Sequence, residues 1–190
     1  MLTKLLLRYL RFLARHSAPE EPMYFWDELG KVKTALIALP SSLEEIKVLD
    51  RRLERLIKLF APGDVAFIAL QGQSLPRSVG LGQVIEVRPE SLRFGRFPRQ
   101  SLRAQVKARH TDAFIDLHCD FDLVSATLAV ASGARIRMCL AHEERDPFFN
   151  LQVRTSRSAA PAKRYQRLLA LLEASRVANH PATPVSEGGG

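Results

Sequence analysis

The spacing of apolar positions changes several times along the chain, and each change predicts an element. Over residues 1–16, Leu2, Leu5, Leu6, Tyr9, Leu10, Phe12 and Leu13 gather on one side of a helix, and Lys4, Arg8, Arg11 and Arg15 line the other. Pro19-Glu20-Glu21-Pro22 breaks that pattern, and residues 17–32 read as a connector containing an apolar knot, Met23-Tyr24-Phe25-Trp26. From Lys33 the pattern changes again. Thr34–Leu39 (TALIAL), Val65–Leu70 (VAFIAL) and Ala113–Leu117 (AFIDL) are short and almost wholly apolar, as strands covered on both faces should be. Gln83–Val87, Arg135–Leu140 and Asn150–Val153 read as further strands.

Helical spacing fills the intervals. In Leu43–Phe60 the residues Ile46, Leu49, Leu53, Leu56, Ile57 and Phe60 share a side, and Pro62-Gly63-Asp64 supplies the turn that ends it. Gln100–Arg109 and Leu123–Ser132 read as shorter helices. Ala162–Ala174 is a helix whose buried side is Tyr165, Leu168, Leu169 and Leu172. Strands alternating with helices predict an α/β, Rossmann-like, doubly wound and mainly parallel sheet over residues 33–176, with the N-terminal amphipathic helix appended. The tail from Val177 carries prolines and three terminal glycines and reads as flexible.

Composition adds two constraints. An apolar content of 46% with 25% charged residues excludes collagen-like and disordered classes. A net charge of +8 points to anionic partners. No apolar run reaches the ~20 residues of a membrane-spanning helix, and two cysteines, Cys119 and Cys139, supply no disulfide framework, as expected of a reducing compartment. The charge is concentrated. On the first helix, Leu6 and Phe12 face an acyl boundary while Lys4, Arg8, Arg11 and Arg15 face headgroups, the arrangement of an in-plane membrane helix; docking on its own domain or a partner, and a cleaved targeting peptide, are the alternatives. Trp26 either docks the connector on the core or sits at a membrane interface. Arg93, Arg96, Arg99 and Arg103 begin an acid-free stretch interleaved with Phe94 and Phe97, an anion-binding patch suited to lipid, phosphorylated glycan or nucleic acid, or else a solvated face. Nucleic acid is the weaker fit, because no helix-turn-helix, RRM signature or GXXG loop accompanies the patch.

Candidate chemistry lies at two strand ends. The loop Pro40-Ser41-Ser42-Leu43-Glu44-Glu45 has carboxylates and no glycine, so it is no phosphate-binding turn; Ser42-x-x-Glu45 matches a capping box. Gly80-Leu81-Gly82 lacks the rest of a dinucleotide fingerprint. Asp112, Asp116, His118, Cys119, Asp120 and Asp122 crowd the other strand end. Acid–base catalysis by His118 with Asp116, or metal binding, is one reading and a helix cap at Asp120 or Asp122 the other, although no zinc spacing is present. Asp116 interrupts an apolar strand and needs a partner there. The remaining histidines are scattered, so the sequence implies no metal and no cofactor.

The order of these pieces is similar to that in heptosyltransferase-type glycosyltransferases. TALIALPSSLEEIKVLDRRLERL (residues 34–56) resembles their opening strand, Ser-Ser-Leu-Gly-Asp-type loop and helix. AFIDLHCDFDLVSATLAVASGARIRM (113–138) resembles their later strand–helix–strand block, and AKRYQRLLALLEA (162–174) the helix closing their first domain. The resemblance spans about residues 33–175 and implies the acceptor-side half of a GT-B enzyme at the cytoplasmic face of the inner membrane, without the donor-binding half. It places Glu45 where the family carries its catalytic base and sets Asp116 and His118 at the crevice. The family's Gly-Asp pair is Glu44-Glu45 here, so the glycine is lost and the carboxylate is longer. The resulting expectation is a non-catalytic, glycosyltransferase-like adaptor or structural subunit, peripheral on the membrane or within a larger protein complex. Its alternatives are the acceptor-binding half of a split glycosyltransferase and a nucleic-acid binder.

Overall fold

The computed structural model describes residues 24–60 and 65–179. The N-terminal amphipathic segment with Lys4, Leu6, Arg8, Arg11, Phe12 and Arg15, the Pro62-Gly63-Asp64 turn and residues 180–190 lie outside the described residues. A short helix α1 (Phe25–Lys31) leads into strand β1 (Ala35–Ala38), helix α2 (Leu43–Phe60) and β2 (Val65–Leu70). Next come β3 (Gln83–Val87), a hairpin of β4 (Leu92–Arg93) and β5 (Phe97–Pro98), and α3 (Gln100–Lys107). The second half runs β6 (Ala113–Asp116), α4 (Leu123–Ser132), β7 (Ile136–Leu140), β8 (Leu151–Val153) and α5 (Pro161–Asn179).

The main sheet has six strands in the order β3-β2-β1-β6-β7-β8, and every pairing is parallel. The chain starts mid-sheet at β1, winds outward to β3, crosses back and winds outward again to β8. That is the doubly wound Rossmann order, with its switch point between β1 and β6. The apolar runs are explained by burial on both faces. Ala35, Ile37 and Ile115 pack under Leu49, Leu53, Tyr165 and Leu168 of α2 and α5. Leu36, Ala38 and Phe114 pack under Leu102, Val106 and Leu128 of α3 and α4. Each fully buried large side chain contributes about 1.5–3 kcal/mol of transfer free energy.

The expected elements form within a few residues of their predicted ends, with two corrections. Helix α1 occupies the expected connector, and Leu29 and Val32 anchor it in the core while Trp26 remains 46% exposed. Arg176 of α5 caps it by donating to the carbonyls of Gly30 (3.1 Å) and Val32 (2.6 Å). Helix α5 runs on to Asn179, into the expected tail. Gly82 has a packing role: a Cβ there would lie 2.7 Å from the Phe67 ring and 2.8 Å from the Val65 carbonyl oxygen.

Candidate functional site

Helices α2 and α4, which follow β1 and β6, lie on opposite faces of the sheet, so a crevice opens at the carboxyl ends of these neighbouring strands. Register sets Ala38, Asp116 and Cys139 level there.

Asp116 is fully buried at the end of β6. Its Oδ1 accepts from the His118 backbone N–H at 3.1 Å and lies 2.6 Å from His118 Nδ1; its Oδ2 lies 3.4 Å from Arg145 Nη2. A carboxylate in this setting is tolerated only because it is paired. Burial opposes its ionisation, yet His118 and then Arg145 hold its carboxyl below the usual range. Burial likewise opposes protonation of His118, yet Asp116, aided by Asp122, raises its pKa. Arg145, with no exposed side-chain surface, donates to the carbonyls of Leu140 (2.8 Å), His118 (2.9 Å) and Asp120, drawing the ends of β6 and β7 together.

A second network adjoins the first through Leu117-His118-Cys119. Glu45 lies in the first turn of α2. Its Oε2 reaches across the crevice and accepts from the Cys119 N–H at 3.2 Å and from the Tyr165 hydroxyl at 2.9 Å. The same hydroxyl lies 2.9 Å from the Leu117 carbonyl oxygen. Burial first, then Cys119 and Glu45, push the Tyr165 pKa up, so the phenol stays protonated and donates. Arg164 donates to the Cys119 carbonyl at 2.8 Å and through Nε to Thr155 Oγ1 at 3.3 Å. The carboxylate, phenol and guanidinium thus tie α2, the β6–α4 loop and α5 into one unit.

The structure brings Glu45, Asp116 and His118 to one end of the sheet and separates Asp112 from them. Asp112 lies at the opposite end of β6, where its Oδ2 accepts from the N–H groups of Lys33 and Thr34, each at 2.9 Å. Asp122 is the cap of α4, accepting from Ser125 N–H at 2.6 Å. Arg93, Arg96, Arg99 and Arg103 are exposed on the hairpin and α3. Beside the crevice, at the carboxyl ends of β7 and β8, an open groove of about 660 Å³ is lined by residues including His142, Glu143, Asp146, Arg154 and Arg157. Arg145, Arg164 and Tyr165 were not legible as site residues. An arginine in a polar loop or on a helix carries no signal of burial, and Tyr165 reads only as a core position. Among the described residues no cluster of histidine, cysteine, aspartate or glutamate suits a metal ion, and no helix is long and apolar enough to cross a membrane.

The fold and crevice define an α/β, Rossmann-like domain of the kind found in GT-B glycosyltransferases. The match is to heptosyltransferase-like structures. The glycosyltransferase family 9 structure from Veillonella parvula aligns with a TM-score of 0.53 and 20% identity, over 76% of this chain and 42% of that one. The E. coli heptosyltransferase WaaC with ADP aligns with a TM-score of 0.52 and 16% identity, over 73% of this chain and 46% of that one. At such identities the likeness establishes the fold alone, and the chain spans less than half the length of either protein. No protein-family model and no curated protein sequence matches the chain.

Proposed function

We propose that this domain is a non-catalytic, glycosyltransferase-like module acting as a membrane-surface adaptor or structural subunit of an assembly. The observation that carries the reading is the engagement of Glu45. A general base must direct its oxygen at the proton it removes. Here Oε2 of the carboxylate in the family's base position accepts from Cys119 N–H and Tyr165 O–H instead. The basic stripe of residues 1–16 supports placement at the inner, cytoplasmic membrane face, or on an acidic partner.

The full chain is tested for sugar transfer from nucleoside-diphosphate sugars to membrane-extracted acceptors. ADP-sugars come first, because WaaC was solved with ADP. The expected result is no transfer for wild type and a fall in Tm for Glu45→Gln. Transfer by the wild type that disappears in a folded Glu45→Gln variant overturns the proposal. A second reading, the acceptor-binding half of a split glycosyltransferase, is favoured by His118, whose side chain keeps 16% exposure beside Asp116, and by the adjoining groove. It requires transfer to appear only when a second, donor-binding chain is added.

A further inference from the structure

The hairpin of β4 and β5 turns at Phe94-Gly95, closed by the Arg96 N–H donating to the Arg93 carbonyl at 3.3 Å. Both turn residues have positive φ, 53° at Phe94 and 66° at Gly95, as in a type I′ turn. Asparagine or glycine suits the first of those positions, and a bulky aromatic there is strained. The Phe94 side chain gains no burial in return: the residue is 77% exposed at the tip, with the Arg93 guanidinium 5.3 Å from its ring centroid. Arg96, Arg99 and Arg103 are exposed in the same stretch, and among the described residues none of the four arginines pairs with a carboxylate.

We propose that the Phe94 tip is a lipid-docking wedge, its ring entering the headgroup–acyl boundary of an anionic bilayer while Arg93, Arg96, Arg99 and Arg103 hold phosphates. This rests on the membrane-surface reading above and adds a second contact to it. Charge excludes the chain's own basic N-terminal segment as the occupant. A nucleic-acid surface fits less well, because the other aromatic of the stretch, Phe97, is buried and leaves a single exposed ring instead of a stacking platform. The hairpin follows the carboxyl end of β3 and precedes α3, so docking turns the crevice end of the sheet towards the bilayer.

The test is flotation of the full chain with phosphatidylglycerol/phosphatidylcholine vesicles against pure phosphatidylcholine, at low and high salt. Wild type is expected to float with the anionic vesicles and to release as salt rises. Arg93→Gln/Arg96→Gln should weaken partitioning about 25-fold, about fivefold for each basic residue lost near an anionic surface. Phe94→Gly should also weaken it while raising Tm, since glycine relieves the turn; Phe94→Trp should retain binding. Hairpin variants that float like wild type, while Lys4→Gln/Arg8→Gln/Arg11→Gln/Arg15→Gln does not, overturn the wedge and leave the membrane reading standing. A wild-type chain that never floats removes both. Hairpin variants that lose oligonucleotide binding while floating like wild type also overturn the wedge, in favour of nucleic acid.

Discussion

The crevice and the basic hairpin use the same kinds of side chain in opposite ways. At the crevice, Asp116, His118, Arg145, Glu45, Tyr165 and Arg164 are turned inward and bond one another or carbonyls at strand ends, although Asp116 Oδ2 and Arg145 Nε make no hydrogen bond. On the hairpin and α3, Arg93, Arg96, Arg99 and Arg103 face solvent, and the large apolar ring of Phe94 does too. Polar groups that bond each other across elements rigidify a fold. Exposed charge beside an exposed ring does the reverse: it adds little to stability and keeps its capacity for binding. On the proposed reading the crevice network braces the domain, and the exposed hairpin arginines with Phe94 are the surface left for recognition.

The sharpest break in that contrast is Arg145→Met. It leaves the buried Asp116 carboxylate with one partner fewer and should cost about 3–5 kcal/mol. At about 2–4 °C per kcal/mol for a domain of this size, Tm falls by roughly 10 °C. A loss under 1 kcal/mol by urea denaturation would mean that Arg145 does not brace the strand ends. Tyr165→Phe and Glu45→Ala should each cost about 1–3 kcal/mol, because each leaves buried groups unsatisfied. Gly82→Ala should cost about 1–3 kcal/mol by forcing Phe67 or the Val65 carbonyl to move.

The pH dependence of stability probes the brace more gently. His118 has a raised folded pKa, so its contribution is complete below its ordinary value of 6.5 and disappears as pH rises through the raised value. Asp116 has a lowered folded pKa, so its contribution is complete above its ordinary value of 3.8 and disappears as pH falls through the lowered value. Stability should therefore plateau between those ordinary values and decline on both sides. In His118→Asn the alkaline decline from this pair should vanish; its persistence unchanged would remove His118 from the account. The smallest effect belongs to the hairpin. Phe94→Gly should raise stability by about 1 kcal/mol, through relief of the left-handed conformation.

Much of this architecture is legible in the residues themselves. TALIAL, VAFIAL and AFIDL are apolar on both faces because the sheet they form is covered on both faces, and that pattern alone specifies a parallel α/β fold. The Asp116 reading also follows from burial: a carboxylate in an apolar strand needs a partner, and His118 stands two residues on. The rest is tertiary. Glu45 and Tyr165 lie 120 positions apart, so only the winding order places one on the other. Glu45 reads locally as a capping residue, and no local rule reveals its bonds to Cys119 and Tyr165. The helix at Phe25–Lys31 was hidden because its seven residues are too few for a period to emerge, and its anchor is the distant Arg176.

The central claim is that Glu45 braces the domain and does not act on a substrate. It is tested most directly by thermal and urea unfolding of Glu45→Ala, Tyr165→Phe and the double variant. Removing a functional carboxylate from a crevice commonly leaves a protein equally or more stable, whereas removing a brace weakens it. The account predicts destabilised single variants and a double-mutant coupling of about 0.5–3 kcal/mol between them. A Glu45→Ala variant as stable as wild type, with no coupling to Tyr165→Phe, would contradict it.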